Sequence, residues 1–122
     1  MSKKILLVDD EPDILRMLEI RLKHAGYETA TACNGKEALE ILKKDPIDLI
    51  LLDLLMPVMD GREVCKIMKN DEKLKNIPIM LLTASVSTAP EDIKKELQAT
   101  DIIIKPFQPE DLLQKIKKLV EL

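Results

Sequence analysis

A chain of 122 residues has the length of one compact domain, and with 46% hydrophobic residues it can build an ordinary core. Charged residues make up 34% and are spread in both signs to a net charge of −3, which leaves no basic stripe for nucleic acid. Apolar runs are only a few residues long, and Met1-Ser2-Lys3-Lys4 leads straight into a strand-like segment, so neither a membrane span nor a signal peptide is expected and the chain reads as cytoplasmic.

In chain order, the first strand is expected at Ile5-Leu6-Leu7-Val8. Pro12 suits the first turn of a helix whose buried stripe is Ile14, Leu18, Leu22 and Ala25, with Gly26 ending it. Glu28 to Ala32 reads as an edge strand, because Glu28, Thr29 and Thr31 interleave with its small apolar residues. Asn34-Gly35-Lys36-Glu37 has the form of a capping box and opens the second helix. Leu49-Ile50-Leu51-Leu52 is the third strand, and Asp60-Gly61-Arg62-Glu63 caps the helix after it. Ile79-Met80-Leu81-Leu82 is the fourth strand, followed by a third capping box at Thr88-Ala89-Pro90-Glu91. Ile102-Ile103-Ile104 is the fifth, and Pro109 starts a last helix with Leu112, Leu113, Ile116, Leu119 and Val120 on its inner face. Cys33 and Cys65 lack C-x-x-C spacing and sit in apolar surroundings, so both are expected as reduced, buried thiols.

Five β-α units in succession predict an α/β fold with a five-stranded parallel sheet, doubly wound, with helices on both faces and ligands beyond the carboxyl ends of the strands. The residues at those ends are Asp9 and Asp10, Asp53, Thr83 and Lys105. With strand order 2-1-3-4-5, the first, third, fourth and fifth strands are neighbours about 4.8 Å apart, and the three acids and the hydroxyl share one pocket. Lys105 starts about 10 Å from Asp53 but has the reach to join them. Clustered carboxylates call for a compensating hard cation; Mg²⁺ is commonly held by one or two carboxylates with phosphate oxygens, so Asp10, Asp53 and a backbone carbonyl would suffice. A carboxylate in such a site can take a phosphoryl group as an aspartyl phosphate.

Leu7-Val8-Asp9-Asp10-Glu11, Leu52-Asp53-Leu54-Leu55-Met56-Pro57 with Met59-Asp60-Gly61, Leu82-Thr83-Ala84 and Lys105-Pro106-Phe107 stand in one order along the chain, and the whole of residues 1–122 resembles the receiver domain of response regulators. The resemblance implies a flavodoxin-like, chemotaxis-regulator-like fold and a phosphorylation-activated switch of a two-component or phosphorelay system, a phosphoacceptor and not a turnover enzyme. It implies Asp53 as phosphoacceptor, Asp10, Asp53 and the Leu55 carbonyl as Mg²⁺ ligands, and Asp9 as a second-shell or water-mediated one. Thr83, Lys105 and the Ala84 backbone would bind the phosphoryl group and carry the switch. Pro57, Gly61 and Pro106 would shape the site, Pro106 after a cis peptide bond. Its partners would be a sensor histidine kinase or histidine phosphotransfer protein and a downstream protein or output domain, with no direct contact to nucleic acid or membrane, and a monomer or a phosphorylation-dependent dimer. His24, the only histidine, lies near the end of the first helix and is no phosphoryl carrier, so the donor is a partner or a small molecule such as acetyl phosphate.

The chain departs from the family pattern at two places. Receivers often carry Tyr or Phe three residues before the Lys, where Ile102 stands here, so the aromatic-threonine relay cannot operate in that form. Positions two beyond Asp53 and Thr83 are Leu55 and Ser85; apolar Leu55 offers no group to orient a hydrolytic water, which predicts slow self-dephosphorylation. Two other functions fit the fold less well. A nucleotide or flavin site lacks G-x-G-x-x-G, a P-loop and sandwiching aromatics, and a Mg²⁺-dependent phosphohydrolase lacks a second acid where Leu55 stands.

Overall fold

The strands alternate their side chains between two separate cores, and this alternation sets the architecture. In the computed structural model, which describes residues 2–54, 56, 59–84 and 89–120, β1 (Lys4–Val8), β2 (Glu28–Ala32), β3 (Leu49–Asp53), β4 (Ile79–Thr83) and β5 (Asp101–Ile104) form one parallel sheet in the order β2-β1-β3-β4-β5. Leu6, Val8, Ile50, Leu52, Ile79, Leu81 and Ile102 face one core with residues of α2 (Gly35–Lys44), α3 (Gly61–Lys69) and α4 (Pro90–Leu97). Ile5, Leu7, Leu49, Leu51, Met80, Leu82 and Ile103 face the other with α1 (Pro12–His24) and α5 (Pro109–Val120). Right-handed crossovers produce this division, because the chain moves outward from β1 to β2 and then reverses through β3 to β5. The reversal lies between β1 and β3, where a doubly wound sheet leaves its crevice.

Registers carry the expected acids to that crevice. Val8 pairs with Leu52, Asp53 with Leu82, and Thr83 with Ile104, so Asp9, Asp53, Thr83 and Lys105 emerge together at one edge. Each of β1, β3, β4 and β5 begins or ends one residue outside its apolar run, because ladder hydrogen bonds extend onto the flanking polar residue.

Two of the three expected caps form. The Asn34 side chain accepts from the Glu37 N–H at 2.9 Å, and Asp60 accepts from the Glu63 N–H at 3.1 Å. The third does not: α4 starts at Pro90, which makes Ala89 its N-cap, a residue with no side-chain acceptor, and Thr88 lies outside the described residues. Ala25 is also exposed rather than part of the α1 stripe, because it is the C-cap, where the chain leaves the helix axis. Leu18 and Leu22 carry the burial instead. Cys65 is buried as expected, and burial pushes its thiol up to about 11. Cys33 is exposed, a correction that follows from its place just past edge strand β2, where its thiol lies 3.4 Å from the Glu37 carboxylate.

Candidate functional site

Among the described residues, the buried polar side chains are Asp9, Asp53 and Thr83, and all three sit at the carboxyl edge of the sheet. Burying a carboxylate costs several kcal/mol unless it is paired, so two in one place demand an explanation. Lys105 supplies part of it. Its ammonium lies 2.9 Å from Asp9 Oδ2, 3.5 Å from Asp53 Oδ2 and 3.5 Å from Glu11 Oε1. The stem therefore bridges from β5 across β4, as its length allows.

Local hydrogen bonds hold the acids in place. Asp9 Oδ1 accepts from the Glu11 N–H at 3.0 Å, and the Asp9 N–H donates to the Ala32 carbonyl at 3.2 Å. On β3, the Leu54 N–H donates to the Leu82 carbonyl and the Gly61 N–H donates to the Leu54 carbonyl at 3.0 Å. Gly61 packs so closely that a Cβ there would fall 2.6 Å from the Asp53 carbonyl, so only glycine lets α3 start at this point. The Thr83 hydroxyl donates to the Ala84 carbonyl at 3.2 Å, and the Lys105 N–H donates to the Thr83 carbonyl. The Lys105-Pro106 peptide is cis, as expected.

Burial pulls the Lys105 ammonium toward deprotonation, but the hydrogen bond it donates to Asp9 and the charges of Asp53, Asp9 and Glu11 outweigh it and leave its pKa raised. A raised folded-state value means that the pairing stabilises the protein below the unfolded lysine value of about 10.4 and is lost as pH rises through the folded one. At neutral pH the cation is fully in place.

Asp10 is exposed on the rim, and one carboxylate oxygen from each of Asp9, Asp10 and Asp53 lies within 4.8 Å of the others. Around an octahedral Mg²⁺ at about 2.0–2.1 Å, opposed ligands stand about 4.2 Å apart and adjacent ones about 2.9 Å, so this all-oxygen set suits a small hard cation held directly by two of the carboxylates and through water by the third. Three carboxylates and one ammonium leave two negative charges, the charge of one divalent ion.

Asp9, Asp10, Asp53 and Lys105 thus come together as the sequence predicts, with Thr83 and Ala84 on the adjoining strand end. Leu55, Pro57 and Ser85 lie outside the described residues. Sequence reasoning gave no role to Glu11, which reaches Lys105; the signal was its place beside the acid pair, two residues past Asp9. Ile102 is buried in the core that holds Ile93 and Leu97 of α4.

Residues 5–117 match the model of the response regulator receiver domain. The chain is 43% identical over 119 residues to a Cyanophora paradoxa protein named probable transcriptional regulator ycf27, covering 98% of this chain and 48% of that one. It therefore spans about half the length of that relative. Its fold is similar to chemotaxis response regulator CheY4 of Vibrio cholerae, with a TM-score of 0.89 and 37% identity over 98% of this chain and 99% of that one. It is also similar to the receiver domain of sensor histidine kinase PA1611 from Pseudomonas aeruginosa, solved with magnesium coordinated in its active-site cleft, with a TM-score of 0.90 and 25% identity over 100% of both chains. Among the described residues no helix is long and apolar enough to cross a membrane.

Proposed function

This chain belongs to the response regulator receiver domains, and we propose that Asp53 is its phosphoacceptor in a Mg²⁺-dependent signalling switch. The observation that carries the reading is the buried Asp9, Asp53 and Lys105 group with Asp10 at its rim, a charge arrangement with two negative charges in excess. Asp10 and Asp53 would hold the cation, with the Leu55 carbonyl as the implied third protein ligand, and Asp9 would act on it through a water. The chemistry that Mg²⁺ would supply there is neutralisation of charge on the phosphoryl oxygens.

One Asp53 carboxylate oxygen forms the new O–P bond in line with the bond that breaks, which is N–P in a phosphohistidine donor or O–P in acetyl phosphate. The leaving imidazole or acetate departs with that electron pair. Lys105 keeps its 2.9 Å contact to Asp9, exchanges its longer contact to Asp53 for a phosphoryl oxygen, and so stays charged and anchored throughout. Thr83 rotates its hydroxyl from the Ala84 carbonyl toward another phosphoryl oxygen, and the Ala84 N–H supports it. Because Ile102 is already packed inside, this rotation alone starts the change that alters a partner-binding surface. Gly61 and Pro106 shape the loops around the acceptor.

The donor is a sensor histidine kinase or a histidine phosphotransfer protein, and the recipient is a downstream protein or an output domain attached elsewhere in a longer polypeptide. This domain makes no direct contact with nucleic acid or membrane, works in the cytoplasm, and is a monomer or a phosphorylation-dependent dimer. Incubation with Mg²⁺ and acetyl phosphate should add one phosphoryl group by intact mass, abolished by Asp53→Asn or by chelator. Continuous phosphate release without a stable adduct would refute the reading. Leu55, with no polar group to orient water, makes the acyl phosphate long-lived. Leu55→Asn should shorten its half-life by about tenfold, equivalent to about 1.4 kcal/mol of barrier; an unchanged half-life would contradict this role.

A further inference from the structure

The corner between β2 and α2 touches both acid-bearing loops. At its start the Ala32 carbonyl accepts from the Asp9 N–H, and at its end the Gly35 N–H donates to the Met59 carbonyl at 3.3 Å. Met59 lies on the connection from Asp53 to α3, which is also tied by the bonds from the Leu54 N–H to the Leu82 carbonyl and from the Gly61 N–H to the Leu54 carbonyl. The corner itself is rigid: Asn34 caps the Glu37 N–H, and the Glu37 carboxylate accepts from the Cys33 N–H at 3.0 Å. A Cβ at buried Gly35 would lie 2.7 Å from the Met59 carbonyl oxygen, 2.7 Å from Val64 Cγ2 and 3.0 Å from Met59 Cβ. The first of these is backbone, which cannot turn aside as a side chain does. A residue other than glycine must therefore push Met59 and its connection away from the corner.

We propose that Gly35 is a positioning residue for the acceptor site: by admitting the Met59 carbonyl against the start of α2, it fixes the connection after Asp53 relative to Asp9 and so sets the site's affinity for a divalent cation. The proposal rests on the phosphoacceptor reading above. Linkage gives it a second consequence, because a contact that favours cation binding must itself be strengthened by the cation, by the same factor.

Two measurements test it. In Gly35→Ala, the Mg²⁺ dissociation constant, read by titration of backbone amide shifts, should rise about tenfold, about 1.4 kcal/mol. Ile116→Val, which weakens the opposite core, should leave it within about twofold. Adding Val64→Ala to Gly35→Ala relieves the side-chain contact and not the backbone one, so the affinity should stay weak. In the wild type, Mg²⁺ should slow hydrogen exchange of the Gly35 amide, a readout that holds even if Gly35→Ala does not fold. Unchanged affinity in Gly35→Ala, full recovery with Val64→Ala, or a Gly35 amide indifferent to bound Mg²⁺ would each overturn this inference alone. A wild type that binds no Mg²⁺ at all would refute the phosphoacceptor reading on which it depends.

Discussion

Asp10 contributes an exposed negative charge to a set already crowded with Asp9 and Asp53, and one lysine cannot offset all three. Without a metal its presence should therefore destabilise the fold. At the observed spacing, repulsion between unit charges screened as in bulk water is worth about 1 kcal/mol. Asp10→Asn in chelator should thus melt about 3–5 °C higher than the wild type and lose the stabilisation that Mg²⁺ gives; a lower melting temperature would show that Asp10 stabilises the metal-free protein. Most of these side chains were legible because each follows directly on an apolar run, which places it at a strand end. Cys33 and Glu11 were not. Cys33 follows an edge strand that closes no second layer over it, and the reach of Glu11 to Lys105 depends on a lysine 94 positions away folding back across two strands.

At the scale of elements, apolar runs located the strands, apolar stripes the first and last helices and capping signals the three between, while the ends were set by geometry that the pattern does not encode. The N-terminus of α4 is an example: the Pro90 ring is compatible with the first helical position, and so the cap falls on Ala89 and not on the nearest hydroxyl. The other end of α4 has a larger energetic consequence. Gln98 closes the helix in the left-handed region at φ 55°, where a side chain is strained, and the N–H groups of Gln98 and Ala99 satisfy the carbonyls of Lys95 and Lys94. Gln98→Gly keeps those bonds and removes the strain, and after the added freedom of the unfolded chain should stabilise by about 0.5–1 kcal/mol in urea denaturation. A destabilised variant would mean that the glutamine side chain holds α4 in place. Nothing in the composition foretold this cap, since glutamine is not a residue that signals a left-handed turn.

At the scale of the molecule, five alternating units and right-handed crossovers pointed to an open doubly wound sheet, and the order β2-β1-β3-β4-β5, which they left as a condition and the receiver resemblance supplied, brings residues 9, 53 and 105 together. The division of helices, with α1 and α5 on one face and α2, α3 and α4 on the other, follows from the same reversal. Less legible was the coupling between neighbouring loops, because the Gly35 to Met59 contact joins backbone atoms and leaves no side-chain pattern to read. All of these features converge on the carboxylate of Asp53. The most direct measurement is to treat the Mg²⁺- and acetyl-phosphate-loaded protein with borodeuteride, which reduces an acyl phosphate to a labelled alcohol, and to locate the label by peptide sequencing in a mass spectrometer. The account predicts deuterated homoserine at position 53 and nowhere else; a label at Asp9 or Asp10, or a phosphorylated protein with no reducible acyl phosphate, would contradict it.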